Sequence, residues 1–95
     1  HHEAGRFFVH AGIRPGVPLD DQDEEDILWI RQDFLRDTRD HGALVVHGHT
    51  PVDAPDLRSN RLNLDTGAGY GRPLTAAVFD GDGIFVLGPS GRTRL

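Results

Sequence analysis

The sequence predicts a mixed α/β domain, mostly sheet, with one substantial helix. Three observations carry this. Two short runs rich in Val and Phe, "FFV" and "LVV", each lead into a His beside a Gly turn. One stretch, 22–40, repeats apolar residues at helical spacing. The C-terminal third alternates and turns like a hairpin. At 95 residues the chain suits a single small domain with a thin core.

In chain order, "RFFVHAG" (6–12) reads as a buried strand running into a Gly turn. "IRPGVPLDDQ" (13–22) holds two prolines and a glycine and reads as a loop. The helix follows, capped by Asp20 or Asp21. Asp23, Glu24, Glu25 and Asp26 crowd its first turn, where the helix dipole favours negative charge. Ile27, Ile30 and Phe34 form its apolar stripe. Arg36 and Arg39 fall in its last turn and Gly42 suits its end. "ALVVHG" (43–48) is too short for a helix and reads as a central strand. "HTPVDAPDLRSN" (49–60) reads as a loop and "RLNLDTG" (61–67) as an alternating strand. "AGYGRP" (68–73) turns the chain. "LTAAVFD" (74–80), "GDG" and "IFVLG" (84–88) form the hairpin, and "PSGRTRL" reads as a frayed tail.

Composition removes several functions. A net charge of −5 argues against a nucleic-acid backbone or an anionic membrane surface as partner. No apolar run is long enough to cross a membrane and "HHEAGRFF" is no signal peptide, so a cytoplasmic location is expected. With no Cys, any metal must use His, Asp, Glu or Asn. All ten basic residues are Arg, which GC-rich coding explains. His1 and His2 read as the remnant of an expression tag and are discounted as ligands.

The chemistry concentrates at the two strand ends. Polar residues beyond the carboxyl ends of buried strands are where α/β sheets place ligands. If both strands share a sheet, His10 and His49 come together, and neutral imidazoles suit borderline divalent metals. The plainer reading is a hydrogen-bonded turn at each. His47 and His49 share a face only in extended backbone, so His47 reads as a supporting or packing residue. His41, at the predicted helix end, needs only a dipole contact. Arg31 either reaches an anion or pairs with a nearby Asp. "DTGAGYG" (65–71) has the composition of an active-site loop, or is a tight turn in which Asp65 and Thr66 bond local backbone.

Together, "FFVHAGIRPGVPLDDQDEEDILWIR", "VVHGHTPV" and "NRLNLDTGAGYGRPLTAAVFD" resemble the bacterial calcineurin-like metallophosphoesterases. The similarity runs from about residue 5 to 88 and is greatest to the serine/threonine protein phosphatase (PPP) type and its neighbour, the symmetrical diadenosine tetraphosphatases. The resemblance implies half of a metallophosphoesterase β-sandwich flanked by helices, with residues 1–95 as the C-terminal portion of the domain. It implies that His10 and His49 are ligands of one of two divalent metals, Mn, Fe or Zn. It offers Arg31 as phosphate clamp and Tyr70 as part of the loop bordering the substrate. Pro51 stands where the wider superfamily often has a further His, as in the PPP-like branch.

The family's Asp-x-His, GDxxDRG-like and GNHE motifs, which supply the other metal ligands and the catalytic acid, are absent from these residues. The expected function is therefore that of a phosphoester hydrolase whose catalytic residues lie elsewhere, with this chain inactive alone. Its substrates would be phosphorylated protein or, as the alternative, a diadenosine polyphosphate. A non-catalytic His-based metal-binding module is the competing reading. An incomplete sandwich would also expose a sheet face, including some of Phe8, Val45, Leu64 and Val78, and favour self-association.

Overall fold

The computed structural model describes residues 2–3, 5–72, 74–81, 83–88 and 91–95. Its strands and helices, in order, are β1 (His2–Glu3), β2 (Arg6–Phe8), α1 (Glu24–Trp29), α2 (Gln32–Leu35), β3 (Leu44–His47), β4 (Asp56–Leu57), β5 (Arg61–Asn63), β6 (Ala77–Asp80), β7 (Gly83–Gly88) and β8 (Gly91–Arg94). One sheet has five strands in the order β1-β2-β3-β5-β4; the other has three, β6-β7-β8. The architecture is mixed α/β, with two sheets and short helices, compatible with half of a metallophosphoesterase fold.

The centre of the larger sheet is parallel: Phe7 pairs with Val45, which pairs with Arg61, and Phe8 with Val46, which pairs with Leu62. Side chains alternate between faces. One face puts Val45 against Ala11, Ile13, Ile30 and Phe34, with Phe7, Val9, Leu19 and Leu35 packed around them. On the other face Phe8 meets Phe79 of the second sheet edge-on, with ring centroids 5.8 Å apart, and Arg6 lies over the same ring. Val45, Val46 and Leu62 are buried. Burying each such side chain is worth about 1.5–3 kcal/mol.

Four expectations change. The single helix over 22–40 is two short helices with a break at Ile30–Arg31. In a continuous helix the Ile27 carbonyl would accept the Arg31 amide. Here it accepts the amide of Ala11, at 2.8 Å, so the loop after β2 ends the helix. Asp23, not Asp20 or Asp21, is the N-cap, its carboxylate accepting from the Glu25 amide. Arg14 then joins the two pieces through Asp26 (2.9 Å) and Asp33 (2.8 Å), which holds the Asp26 carboxyl below its usual range.

The second change is the tail. Residues 91–94 form β8, paired with β7, and Arg92 and Arg94 lie over the Phe85 ring while Arg92 bonds Asp80. Third, Val45 is fully buried under the helices rather than exposed; Phe8, Leu64 and Val78 are half-buried. Fourth, His41 does not sit at a helix end, because α2 stops at Leu35. Its Nε2 lies 3.2 Å from Asn60 Nδ2 and its ring leans on Phe34; burial lowers its pKa. His1 and Pro73 lie outside the described residues, as do Asp82 of the "GDG" turn, Pro89 and Ser90.

Candidate metal centre at two strand ends

Parallel pairing fixes the site. β2 and β3 run side by side, so their carboxyl ends lie together. The ladder continues past both strands: Val9 N–H donates to Val46 O (3.0 Å) and Gly48 N–H to His10 O (2.7 Å). His10 is thereby set beside Gly48, and His49 follows at once. The two rings lie with centroids 5.0 Å apart, tilted by 56°. The sequence-predicted pair is brought together.

Gly48 makes room. A Cβ there would sit 3.2 Å from the Cβ of Asp65 and 3.7 Å from the His10 carbonyl. Directly after it, His49 has φ of 68°, the one positive value at a non-Gly position among the described residues. A three-residue turn closes around it, Thr50 N–H donating to Gly48 O at 2.8 Å. Such a turn is rare and strained, costing about 1–3 kcal/mol, and strain of this kind gathers at ligand-holding positions.

Two side chains from the helix break complete the surroundings of His49. Trp29 packs edge-on against its ring, centroids 5.7 Å apart, while remaining 63% exposed. Arg31 Nε donates to His49 Nε2 at 3.4 Å, at the weak end of the hydrogen-bond range. Partial burial, then Arg31 and His10, lower the His49 pKa, against an opposite pull from Asp65. These influences favour the neutral imidazole, the form in which a histidine binds a metal.

The separation of the two rings is compatible with a shared divalent metal. A metal–nitrogen bond of about 2.1 Å places each ring centroid about 3.2 Å from the ion, so two rings at tetrahedral or octahedral angles have centroids about 4.5–5.2 Å apart. The observed 5.0 Å lies in that interval. The pair by itself offers two nitrogen donors. Among the described residues no group of three or more His, Asp or Glu is arranged to hold a metal.

The other candidates separate from this pair. Tyr70 is 79% exposed in the 3-10 turn after Gly67 and, among the described residues, makes no ring contact or hydrogen bond with His10, His49 or Arg31. Arg31 is at the site, but from the break between helices rather than from a helix face. Asp65 behaves as the tight-turn reading expects, its carboxylate accepting from the Gly67 amide. His47 is buried and turned to the core. Its ring meets Phe34 edge-on at 4.9 Å, Nδ1 lies 3.3 Å from Gly48 O, and Nε2 lies 3.2 Å from Arg61 Nη1. Sequence reasoning gave Trp29 no role. Its signal, a large aromatic two residues before Arg31, gains meaning only when the helix break turns both toward His49.

No protein-family profile matches the chain, and no solved structure matches it significantly. Curated relatives do. The bis(5'-nucleosyl)-tetraphosphatase PrpE [asymmetrical] of Anoxybacillus flavithermus is 45% identical over 47 residues, 50% of this chain and 19% of the relative. The protein of the same name from Geobacillus thermodenitrificans is 31% identical over 90 residues, 78% of this chain and 36% of the relative. That from Oceanobacillus iheyensis is 41% identical over 51 residues, 53% of this chain and 20% of the relative. The chain thus spans between about a fifth and a third of the length of these relatives. Their name is the asymmetrical one, where the motifs suggested the symmetrical enzymes as neighbours. The matches support a relationship between this chain and the metallophosphoesterases and, at that coarse level, phosphatase-type hydrolases.

Proposed function

We propose that the chain is the C-terminal portion of a two-metal phosphoester hydrolase, with His10 and His49 as two ligands of one divalent metal, Mn, Fe or Zn. The observation that carries this is the pair of strand-end imidazoles, 5.0 Å apart at the carboxyl ends of parallel neighbours. When bound, paired metals supply an activated water and a clamp for the phosphoryl oxygens. The remaining ligands and the acid lie outside these residues. The substrate is a phosphorylated protein or a nucleoside polyphosphate, and the names of the relatives lend support to the second.

Arg31 is assigned to the substrate phosphoryl group, by an exclusion built into its contact with His49. Nε2 of His49 presents its lone pair to Arg31. Were His49 to hold a metal through either ring nitrogen, Nε2 would no longer be free to accept from Arg31, and the Arg31 guanidinium, which matches phosphate geometry, would be left for an anion. Tyr70 is retained as a contact on the outer part of the substrate.

A Mn²⁺ titration followed through the His ring signals by NMR tests the site. Early, selective broadening is expected at His10 and His49, with His41 and His47 following later. His49→Ala should abolish the selectivity and leave the fold intact. Broadening centred on His47, or spread evenly over all imidazoles, would refute the assignment. The chain alone, with Mn²⁺, is expected to give no turnover of a simple aryl phosphate above that of free metal. Robust turnover would show that two histidines are not half of the machinery.

A further inference from the structure

We propose that Trp29 is a nucleobase platform: the surface on which the base of a nucleotide substrate stacks while its phosphoryl group lies at His10, His49 and Arg31. The inference rests on the metal-site reading above and adds the substrate-recognition element to it.

The placement of Trp29 is the first support. It is the last residue of α1 and 63% exposed, although a large aromatic ring at the end of an amphipathic helix ordinarily packs inward. The neighbouring stripe is buried without it: Ile30 and Phe34 fill the core beneath the helices. Its ring contact is with a candidate ligand, the His49 imidazole, against which it stands at 84°. Solvent therefore reaches most of the indole at the rim of the site.

The second support is the pairing with Arg31. The break at Ile30–Arg31 brings Trp29 and Arg31 of the "WIR" segment onto His49, one through its ring and the other through its guanidinium. A nucleotide presents a flat aromatic group joined through a sugar to an anion. The site presents an exposed flat aromatic group next to a cation and two metal-competent imidazoles. A phosphoserine or phosphothreonine side chain has nothing flat to lay on Trp29. Stacking of a base on an aromatic ring strengthens binding by roughly 5- to 150-fold, with little preference among bases.

Trp29 is the sole tryptophan, so its indole N–H gives a single unambiguous NMR signal. The 95-residue chain is titrated in parallel with ADP and with inorganic pyrophosphate, in the presence of Mg²⁺. ADP is expected to move the Trp29 signal at concentrations at least about tenfold lower than pyrophosphate does. Trp29→Leu should erase the preference for ADP, read through the His49 ring signal, and Trp29→Phe should restore part of it. Equal responses to ADP and pyrophosphate overturn the proposal, as does a Trp29→Leu chain that still prefers ADP. So does a phosphoserine peptide that moves the indole signal more readily than ADP, which would make Trp29 a protein-docking residue. The metal reading fails separately: if Mn²⁺ shows no selectivity for His10 and His49 while ADP still engages Trp29, the metal assignment falls and the platform stands.

Discussion

Gly12→Ala is expected to destabilise the chain by about 3 kcal/mol or more, a large share of the stability of so small a domain. A Cβ at this position would lie 2.3 Å from Cδ2 of Phe34, 2.7 Å from Cγ and 2.8 Å from Cε2. These are ring atoms at the centre of the core, and Phe34 is fully buried. The ring is held on its other sides by His47, edge-on at 4.9 Å, and by His41. Backing away therefore means repacking three side chains at once. The backbone adds to the cost, because Gly12 has φ of +155°, which side chains other than Gly rarely adopt. Gly42→Ala is the control: it also has positive φ, at +86°, but nothing lies within 4 Å of its Cβ position, so only the backbone cost of about 1 kcal/mol applies. Urea unfolding midpoints measure both. A Gly12→Ala midpoint no lower than that of Gly42→Ala would contradict the close approach. Adding Phe34→Leu should recover part of the Gly12→Ala loss, since the two changes share one contact.

The same contact shows what the sequence could and could not disclose. "HAG" was legible as a strand end with a turn, because Val, Phe and Gly carry their local preferences openly. The parallel neighbours β2 and β3 were legible as strands for that reason, and the meeting of His10 with His49 follows once they pair. The break at Ile30 was not legible. Residues 22–40 have a sound helical stripe, and what ends α1 is a distant competitor, the Ala11 amide on the Ile27 carbonyl. The tail was misread for a similar reason. "GRTRL" has no apolar alternation, and β8 is held by its pairing with β7 and by arginines lying over Phe85. Local pattern cannot report a contact whose other half is far along the chain. The place of Trp29 depended on the helix break and waited for the fold, whereas His47, read as a packing residue, is one: its ring lies against Phe34.

His47 should make the chain acid-sensitive between about pH 6.5 and pH 4, with a loss of about 3 kcal/mol across that window. Its partners specify the neutral ring: Nδ1–H donates to the Gly48 carbonyl and Nε2 accepts from Arg61 Nη1. A second proton would remove the acceptor that Arg61 uses and set two cations together in a place closed to water. Arg61 has little to balance that charge, its guanidinium lying 3.8 Å from Asp56. Burial pushes the His47 pKa down to about 4 with a smaller push from Arg61, against an upward pull led by the Gly48 carbonyl and followed by Asp56 and the Ala11 carbonyl. The sign follows from linkage. Above about pH 6.5 both folded and unfolded chains carry a neutral His47 and stability is unaffected. As pH falls below that value the unfolded chain takes up a proton that the folded chain refuses, so unfolding gains. Near pH 4 the folded chain accepts it too, and the loss levels off. Asp26 and Asp56, whose carboxyls are held below their ordinary range, lose their contribution only below about pH 4, outside this window. His41 and His49 are shifted in the same direction as His47 and steepen the curve, so the total slope alone does not isolate one residue. His47→Gln does. It removes the titrating group while leaving an amide able to accept from Arg61, and it should lower stability at pH 7 yet flatten the fall between pH 6.5 and 4. Parallel pH profiles of the two chains would mean that the acid sensitivity lies elsewhere.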